Sequence, residues 1–250
     1  MRRVLLGVRA VKEALAAHAQ SIAVIYVHEE GARGALRDIV TDAKNRGVSI
    51  ELKPMEELNA LAEGDRHQGV IGLSGEDFAY ASFDELLDRT VALGPAGLIV
   101  ALDEVTDPHN FGAIVRSAVA FGATGIVTMK DRASPVTPTV VRASAGATEH
   151  ATIARVTNLS RALDAARERG LWTVGLDAEG SATLAATDLT VPCVLVVGSE
   201  GRGLRRLVRE RCDVLAKIPM SGPIASLNAS VAAAITLYEV TRQRSLAASR

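Results

Sequence analysis

An α/β fold built on a parallel sheet is predicted for most of this chain by three observations. From Leu98 onward, short runs rich in Val, Ile and Leu alternate with stretches of helical spacing, the pattern of strands buried on both faces beneath crossover helices. Several of those runs lead into loops rich in Gly, Pro and Asn before the next helix, and loops at strand ends are where α/β proteins put ligands. A smaller α/β unit comes first, set off by a lapse in the pattern around Ser74 to Ala81.

In the first unit, Gly7 to Ala17 has helical spacing, Ser21 to Val27 is a β-branched strand, and Arg33 to Arg46 is an amphipathic helix closed by Gly47. Val48 to Leu52 reads as a second strand, Pro54 opens a short helix through Leu61, and Val70 to Leu73 finishes the unit. Gly75, Glu76 and Asp77 mark a linker. The expected domains are therefore 1–74 and 83–250, joined by 75–82. In the larger domain Phe83 to Val91 is a helix, and the strands are Leu98 to Leu102, Gly125 to Thr128, Leu171 to Leu176, Cys193 to Val197 and Val214 to Ile218. Helical patterns run over Asn110 to Phe121, Pro138 to Ala143, Leu159 to Arg169, Leu204 to Arg211 and Leu227 to Arg244. A dinucleotide-binding fold would show G-x-G-x-x-G after its first strand, but this strand ends in Asp103-Glu104-Val105.

At 250 residues, with 48% hydrophobic and 23% charged residues, the chain can bury a sizeable core in one or two domains. Only 3% of residues are aromatic, so Ala, Val, Leu and Ile must build that core, and base stacking on many exposed rings is excluded as a way to hold a nucleic acid. A net charge of −1 and a pI near 6.5 exclude a globally basic binder. Cations gather locally at Arg202, Arg205, Arg206, Arg209 and Arg211, which read as a solvated helix face balanced by Glu210 and Asp213, with Arg202 in the loop as the candidate contact to a nucleic acid, were one bound. Cys193 and Cys212 fit neither a C-x-x-C redox pair nor a zinc site and are expected to be reduced core thiols. No leader pattern opens the chain and no apolar run approaches the ~20 residues of a membrane span. A cytoplasmic protein with no membrane partner is expected.

Three segments carry the chemistry: Leu102 to Ser117, Val196 to Leu204, and Ile218 to Ser230. In the first, Asn110 reads as a helix N-cap or as a site amide. Arg116 lies off the apolar stripe of Phe111, Ile114, Val115, Ala118 and Val119, and reads as a surface charge or a ligand contact. His109 is a turn residue, a ligand contact or a general base, the imidazole being the side chain whose ordinary titration falls near neutrality. In the second segment Gly198 lets a ligand approach the backbone, and Glu200 is the one acid among small residues. No Gly-Lys-Ser/Thr follows, which argues against a phosphate loop. In the third, Ser226 or Asn228 can cap the long helix that follows, while Ile218, Met220 and Leu227 would otherwise pass as core.

In order and spacing these segments resemble the motifs of SpoU/TrmH-type RNA ribose 2′-O-methyltransferases of the SPOUT class. The region before Gly72 resembles the small N-terminal domain of that family's rRNA branch, similar in turn to ribosomal protein L30e. The resemblance covers nearly the whole chain. It implies a parallel sheet with a C-terminal trefoil knot, S-adenosylmethionine as cofactor, and a guanosine ribose of 23S rRNA as target. It also implies a homodimer to which the Leu227 to Tyr238 helix contributes. By the same resemblance Asn110, Arg116, Glu200, Ser226 and Asn228 form the catalytic centre, and Gly198, Ile218, Met220 and Leu227 hold the cofactor, with no metal and no DNA involved. The family gives Arg116 the part of general base; a guanidinium, a very weak acid with donors only, fits at least as well as a clamp on RNA phosphate and stabiliser of the 2′-oxygen. Two other readings stay open: the same chemistry on tRNA guanosine or rRNA adenosine, and a non-catalytic RNA-binding assembly factor. The segment Arg66-His67-Gln68-Gly69-Val70 favours the rRNA branch, because it resembles the close of a domain that the simplest tRNA-modifying relatives lack.

Overall fold

The computed structural model describes residues 3–30, 34–223 and 226–249. Contacts divide the chain into two units, Met1–Ala79 with Pro135–His150, and Tyr80–Ser134 with Ala151–Arg250. The expected helix start at Arg33 and the Ile224-Ala225 step of the third segment lie outside the described residues.

The first unit contains β1 (Val4–Leu6), α1 (Val8–His18), β2 (Ile22–His28), α2 (Ala35–Asn45), β3 (Ile50–Lys53), α3 (Met55–Leu61) and β4 (Val70–Ser74). Its sheet has the order β1-β4-β2-β3, with β4 antiparallel to β1 and β2, and β2 parallel to β3. Helix α1 buries Ala10, Val11, Ala14 and Leu15 on one face, and this stripe packs with Leu5, Ile25, Val27, Ile39 and Val70. Under α3, Leu58 and Ala62 close over Leu6 and Ile71. His67 is buried. Its Nε2 lies 2.9 Å from Asn59 Oδ1, and its Nδ1 accepts from the Gly69 N–H at 3.2 Å, a pairing that defines the neutral tautomer. Burial first, and His28 nearby second, lower its pKa below the ordinary histidine value.

The second unit runs through α4 (Phe83–Ala92), β5 (Leu98–Asp103), α5 (Pro108–Ala120) and β6 (Gly125–Met129). The chain then leaves it for Pro135–His150, which carries α6 (Pro138–Ala143) and clusters with the first unit. There Val141 joins the core, Arg142 Nη1 meets Asp65 Oδ1 at 2.5 Å, and Arg3 Nη2 meets the buried Glu149 at 2.8 Å. The chain returns through β7 (Ile153–Val156), α7 (Leu159–Glu168), β8 (Trp172–Leu176), β9 (Ala182–Thr183), β10 (Cys193–Gly198), α8 (Arg206–Arg209), β11 (Val214–Lys217) and α9 (Ala229–Ala248). Seven strands form one parallel sheet in the order β7-β6-β5-β10-β8-β11-β9. Every residue of β5, β6 and β10 is buried, as a sheet covered on both faces requires.

Some elements depart from the sequence reading. Strands β1, β7 and β9 were not expected: they are short, and β7 is interrupted by Arg155. Helix α8 is shorter than the expected Leu204 to Arg211 because Arg205 is extended, its N–H committed to Asp103 Oδ2 at 2.8 Å. The end of the expected linker is held to the second unit, with the Ala81 N–H donating to Ile153 O at 2.9 Å and the Arg155 guanidinium 4.4 Å from the centre of the Tyr80 ring. Among the described residues no helix is long and apolar enough to cross a membrane.

Candidate active site at the C-terminal ends of the central strands

The chain moves outward from β5 to β6 and β7, then fills the other side of the sheet, so the order reverses between β5 and β10. Ligands bind at such a switch point, beyond the carboxyl ends of the strands. Gly198 at the end of β10 stands in register with Asp103 at the end of β5. All three singled-out segments follow strands of this region: β5, β10 and β11.

In the first loop Asp107, not Asn110, caps α5, accepting from the backbone N–H of His109 at 3.2 Å and of Asn110 at 3.0 Å. Pro108 fills the first helical position. The buried Asn110 side chain is thereby left for longer-range bonds. Its Nδ2 donates to Glu200 Oε2 at 3.1 Å, and its Oδ1 accepts from Asn228 Nδ2 at 2.9 Å. Asn228 in turn caps α9, its Oδ1 accepting from the Ser230 N–H at 2.9 Å and the Ser230 hydroxyl at 2.6 Å. A directional chain results: Ser230 donates to Asn228, Asn228 to Asn110, and Asn110 to the Glu200 carboxylate. Both carboxamides are oriented by it, since each must present oxygen on one side and nitrogen on the other.

The second loop is tight. The Ser199 N–H donates to Gly203 O at 3.1 Å, and the Gly203 N–H returns to Ser199 O at 3.0 Å. A Cβ on Gly198 would lie 2.3 Å from the carbonyl carbon of Gly203, so only glycine fits where the strand meets this loop. Beside it opens a cavity of about 380 Å³, lined among others by Gly198, Glu200, Ile218, Met220, Ser226 and Leu227. The four residues named for cofactor binding and two of those named for catalysis thus share one wall system. Leu176 to Glu179, the end of β8 and the loop beyond it, also line the cavity and were not singled out from the sequence, although a position at the end of a parallel strand is a signal in itself.

Arg116 lies apart from this hydrogen-bond chain. It is exposed on α5 and makes no hydrogen bond or ion pair among the described residues. Arg202 is exposed on the second loop in the same state. The other cations of that region are neutralised, partly by residues far away in sequence: Arg205 by Asp103 at 2.6 Å, Arg206 by Glu210 at 2.7 Å, Arg209 by Asp177 at 3.3 Å and Arg211 by Asp164 at 3.4 Å. Asp213, expected among their counter-charges, pairs with Arg167 at 2.9 Å. The His109 side chain is exposed and has no partner among the described residues. Cys193 and Cys212 are free thiols; burial pushes the first up to about 11 and the second up to about 12, so neither is a nucleophile near neutral pH. A second, open depression of about 940 Å³ around Trp172, Arg167 and Arg211 contains no residue of the three segments.

A cavity at the switch point of a parallel sheet, with Glu200 in its wall held by the oriented amide of Asn110, defines the class as an α/β protein with a ligand site at the carboxyl ends of its central strands. The chain belongs to the SpoU rRNA methylase family, which matches residues 97–238, while an RNA 2′-O ribose methyltransferase substrate-binding domain matches residues 4–74. It is 43% identical over 238 residues to the 23S rRNA (guanosine-2′-O-)-methyltransferase RlmB of Coxiella burnetii, covering 95% of this chain and 94% of that one. An uncharacterized tRNA/rRNA methyltransferase of Mycolicibacterium smegmatis is 45% identical over 239 residues, covering 96% of this chain and 76% of the other. Among solved structures, the SpoU methyltransferase AviRb of Streptomyces viridochromogenes in complex with the cofactor AdoMet superposes with a TM-score of 0.77 at 27% identity, over 97% of this chain and 90% of that chain.

Proposed function

We propose that the protein is an S-adenosylmethionine-dependent RNA 2′-O-ribose methyltransferase that modifies a guanosine of 23S rRNA and works as a homodimer. The observation that carries the reading is the chain Asn228 to Asn110 to Glu200, which links residues from all three segments and ends on Glu200 in the wall of one cavity. The cavity fits the cofactor: backbone at Gly198 is open to close approach, Leu176, Ile218 and Leu227 offer an apolar surface for a base, and Glu200, the lining carboxylate not committed to Arg209, supplies negative charge for a cationic ligand. Bound there, S-adenosylmethionine supplies an electrophilic methyl group to the 2′-oxygen.

The remaining work belongs to the chain. Gly198, Ile218, Met220 and Leu227 hold the cofactor, and Glu200, fixed by Asn110, orients the reacting groups. Ser226 and Asn228 complete the catalytic centre from the start of α9. Arg116, exposed on α5 with no partner among the described residues, clamps the RNA phosphate and stabilises charge developing on the 2′-oxygen. Exposed Arg202 adds a contact to the RNA backbone.

The substrate assignment draws on the RlmB relative and on the substrate-binding match over residues 4–74, which form the RNA-gripping domain in the division 1–74, 75–82 and 83–250, with Pro135–His150 packing into the first unit. Dimerisation draws on α9, where Val231, Ile235 and Tyr238 form an exposed apolar stripe at 46%, 38% and 58% exposure. The reading includes the trefoil knot of the SPOUT class; the entry of β10 between β5 and β8 supports it. Labelled methyl transfer to 23S rRNA fragments and to tRNA, by the full chain and by a chain lacking residues 1–74, tests the substrate. Transfer to a guanosine ribose of the 23S fragment, strongly reduced by the deletion, is expected. Methylation of tRNA alone would overturn the rRNA assignment, and a mass near 26.2 kDa in light scattering would overturn the dimer.

A further inference from the structure

We propose that Arg244 is a positioning residue for the reaction: it pins the far end of α9 to the two central strands and so sets where Asn228 holds the Asn110–Glu200 chain. Its Nε donates to Leu189 O at 3.1 Å, its Nη1 to Ala96 O at 2.8 Å, and its Nη2 to Gly97 O and Val191 O, both at 3.0 Å. Four main-chain carbonyls take the place of a carboxylate, and no ion pair competes for this guanidinium among the described residues. Only a rigid fork of N–H groups meets such a set at once, so the contact specifies geometry more than it neutralises charge.

The identity of those carbonyls matters. Ala96 and Gly97 immediately precede β5, while Leu189 and Val191 lie just before β10. Those strands carry Asn110 and Glu200 beyond their other ends. Arg244 therefore sets α9 against the same two strands that present the other members of the chain. The neighbouring Gln243 strengthens the pin, accepting from the Leu189 N–H at 3.0 Å and donating to Thr187 O at 3.1 Å.

Helix α9 needs an anchor of this kind. In its first two turns the buried positions are Ala229 and Ala233, whose small side chains offer few ridges to resist sliding or rotation. Larger or branched buried residues appear only later, at Thr236, Leu237 and Val240. From Arg244 the hydrogen-bonded rod carries its register about 24 Å to the Asn228 cap, at ~1.5 Å per residue.

The inference rests on the site reading above, and a double-mutant cycle separates the two. Arg244→Ala and Arg244→Lys are made in the full chain, alone and combined with Asn228→Ser, which keeps a helix cap but removes the amide donor to Asn110. Single-turnover methyl transfer is measured well below the melting temperature, and thermal unfolding in parallel. Arg244→Ala is expected to slow transfer by about 10- to 100-fold, the scale of a misplaced reacting group. In the Asn228→Ser background it should slow transfer no further, while lowering the melting temperature equally in both. Should the alanine variant fail to fold, Arg244→Lys and Gln243→Ala carry the same cycle. An ordinary rate despite a lowered melting temperature, or losses that multiply across the cycle, overturns the proposal. An ordinary rate for Asn228→Ser alone overturns the site reading, and this proposal with it.

Discussion

Gly198→Ala probes the junction on which both the second loop and the cavity depend. The added Cβ would stand 2.3 Å from the carbonyl carbon and 2.4 Å from the carbonyl oxygen of Gly203, and 2.6 Å from the Leu204 nitrogen. All three are main-chain atoms, so no rotamer change relieves the clash. The loop must open, losing the two bonds between Ser199 and Gly203 at about 1 kcal/mol each. Residual overpacking adds about 1–3 kcal/mol, for a total of roughly 3–5 kcal/mol. Gly201→Ala, in the same loop, is the control: nothing lies within 4 Å of its Cβ position, and only its φ of +82° costs, about 1–2 kcal/mol. Urea unfolding and calorimetric titration with S-adenosylhomocysteine measure both effects. Gly198→Ala should lose the full amount together with detectable binding, whereas Gly201→Ala should still bind. A Gly198→Ala protein within about 1 kcal/mol of the parent and binding normally would refute the account of this loop.

Other outcomes follow from single side chains. Arg116→Ala should slow methyl transfer by at least about 100-fold, yet change stability by no more than about 0.5 kcal/mol, because the side chain is exposed and unbonded among the described residues. Near-normal turnover returns it to an ordinary surface charge. His67 has a folded pKa below its unfolded value of 6.5, so its contribution to stability is complete above that pH and is lost as pH falls from 6.5 toward the folded pKa. Unfolding at pH 7.5 and pH 5 should therefore show an acid loss that His67→Gln reduces; equal losses in both proteins contradict this. Both thiols, pushed up to about 11 and about 12, should alkylate in the native protein at pH 8 on the order of a hundredfold more slowly than free cysteine. Labelling at the free rate would show that these sites are open.

The central strands were readable because β5 and β10 are continuous apolar runs bounded by turn residues, and α5 because its apolar stripe follows Asp107-Pro108. The two-residue β9 and the Arg155-interrupted β7 carry too little periodicity to stand out. Pattern also cannot say which body a helix packs against, so Pro138–Ala143 was found as a helix without its place in the first unit. The candidate site was legible through the three segments, but its bonding was not. Asp107 and Asn110 are both acceptable caps by type, and only the backbone geometry decides for Asp107. Asn110 meets Asn228 across 118 positions of sequence, and Arg205, Arg209 and Arg211 meet their carboxylates at comparable or lesser remove, contacts that follow from strand order and not from neighbouring residues.

Mapping ribose methylation on 23S rRNA from cells with and without the gene asks whether the three loops form one site for methylating a guanosine ribose of that RNA. The account predicts that a single guanosine loses its 2′-O-methyl group in the deletion strain, and that the intact gene restores it while an Arg116→Ala copy does not. An unchanged 23S methylation pattern in the deletion strain would contradict the account.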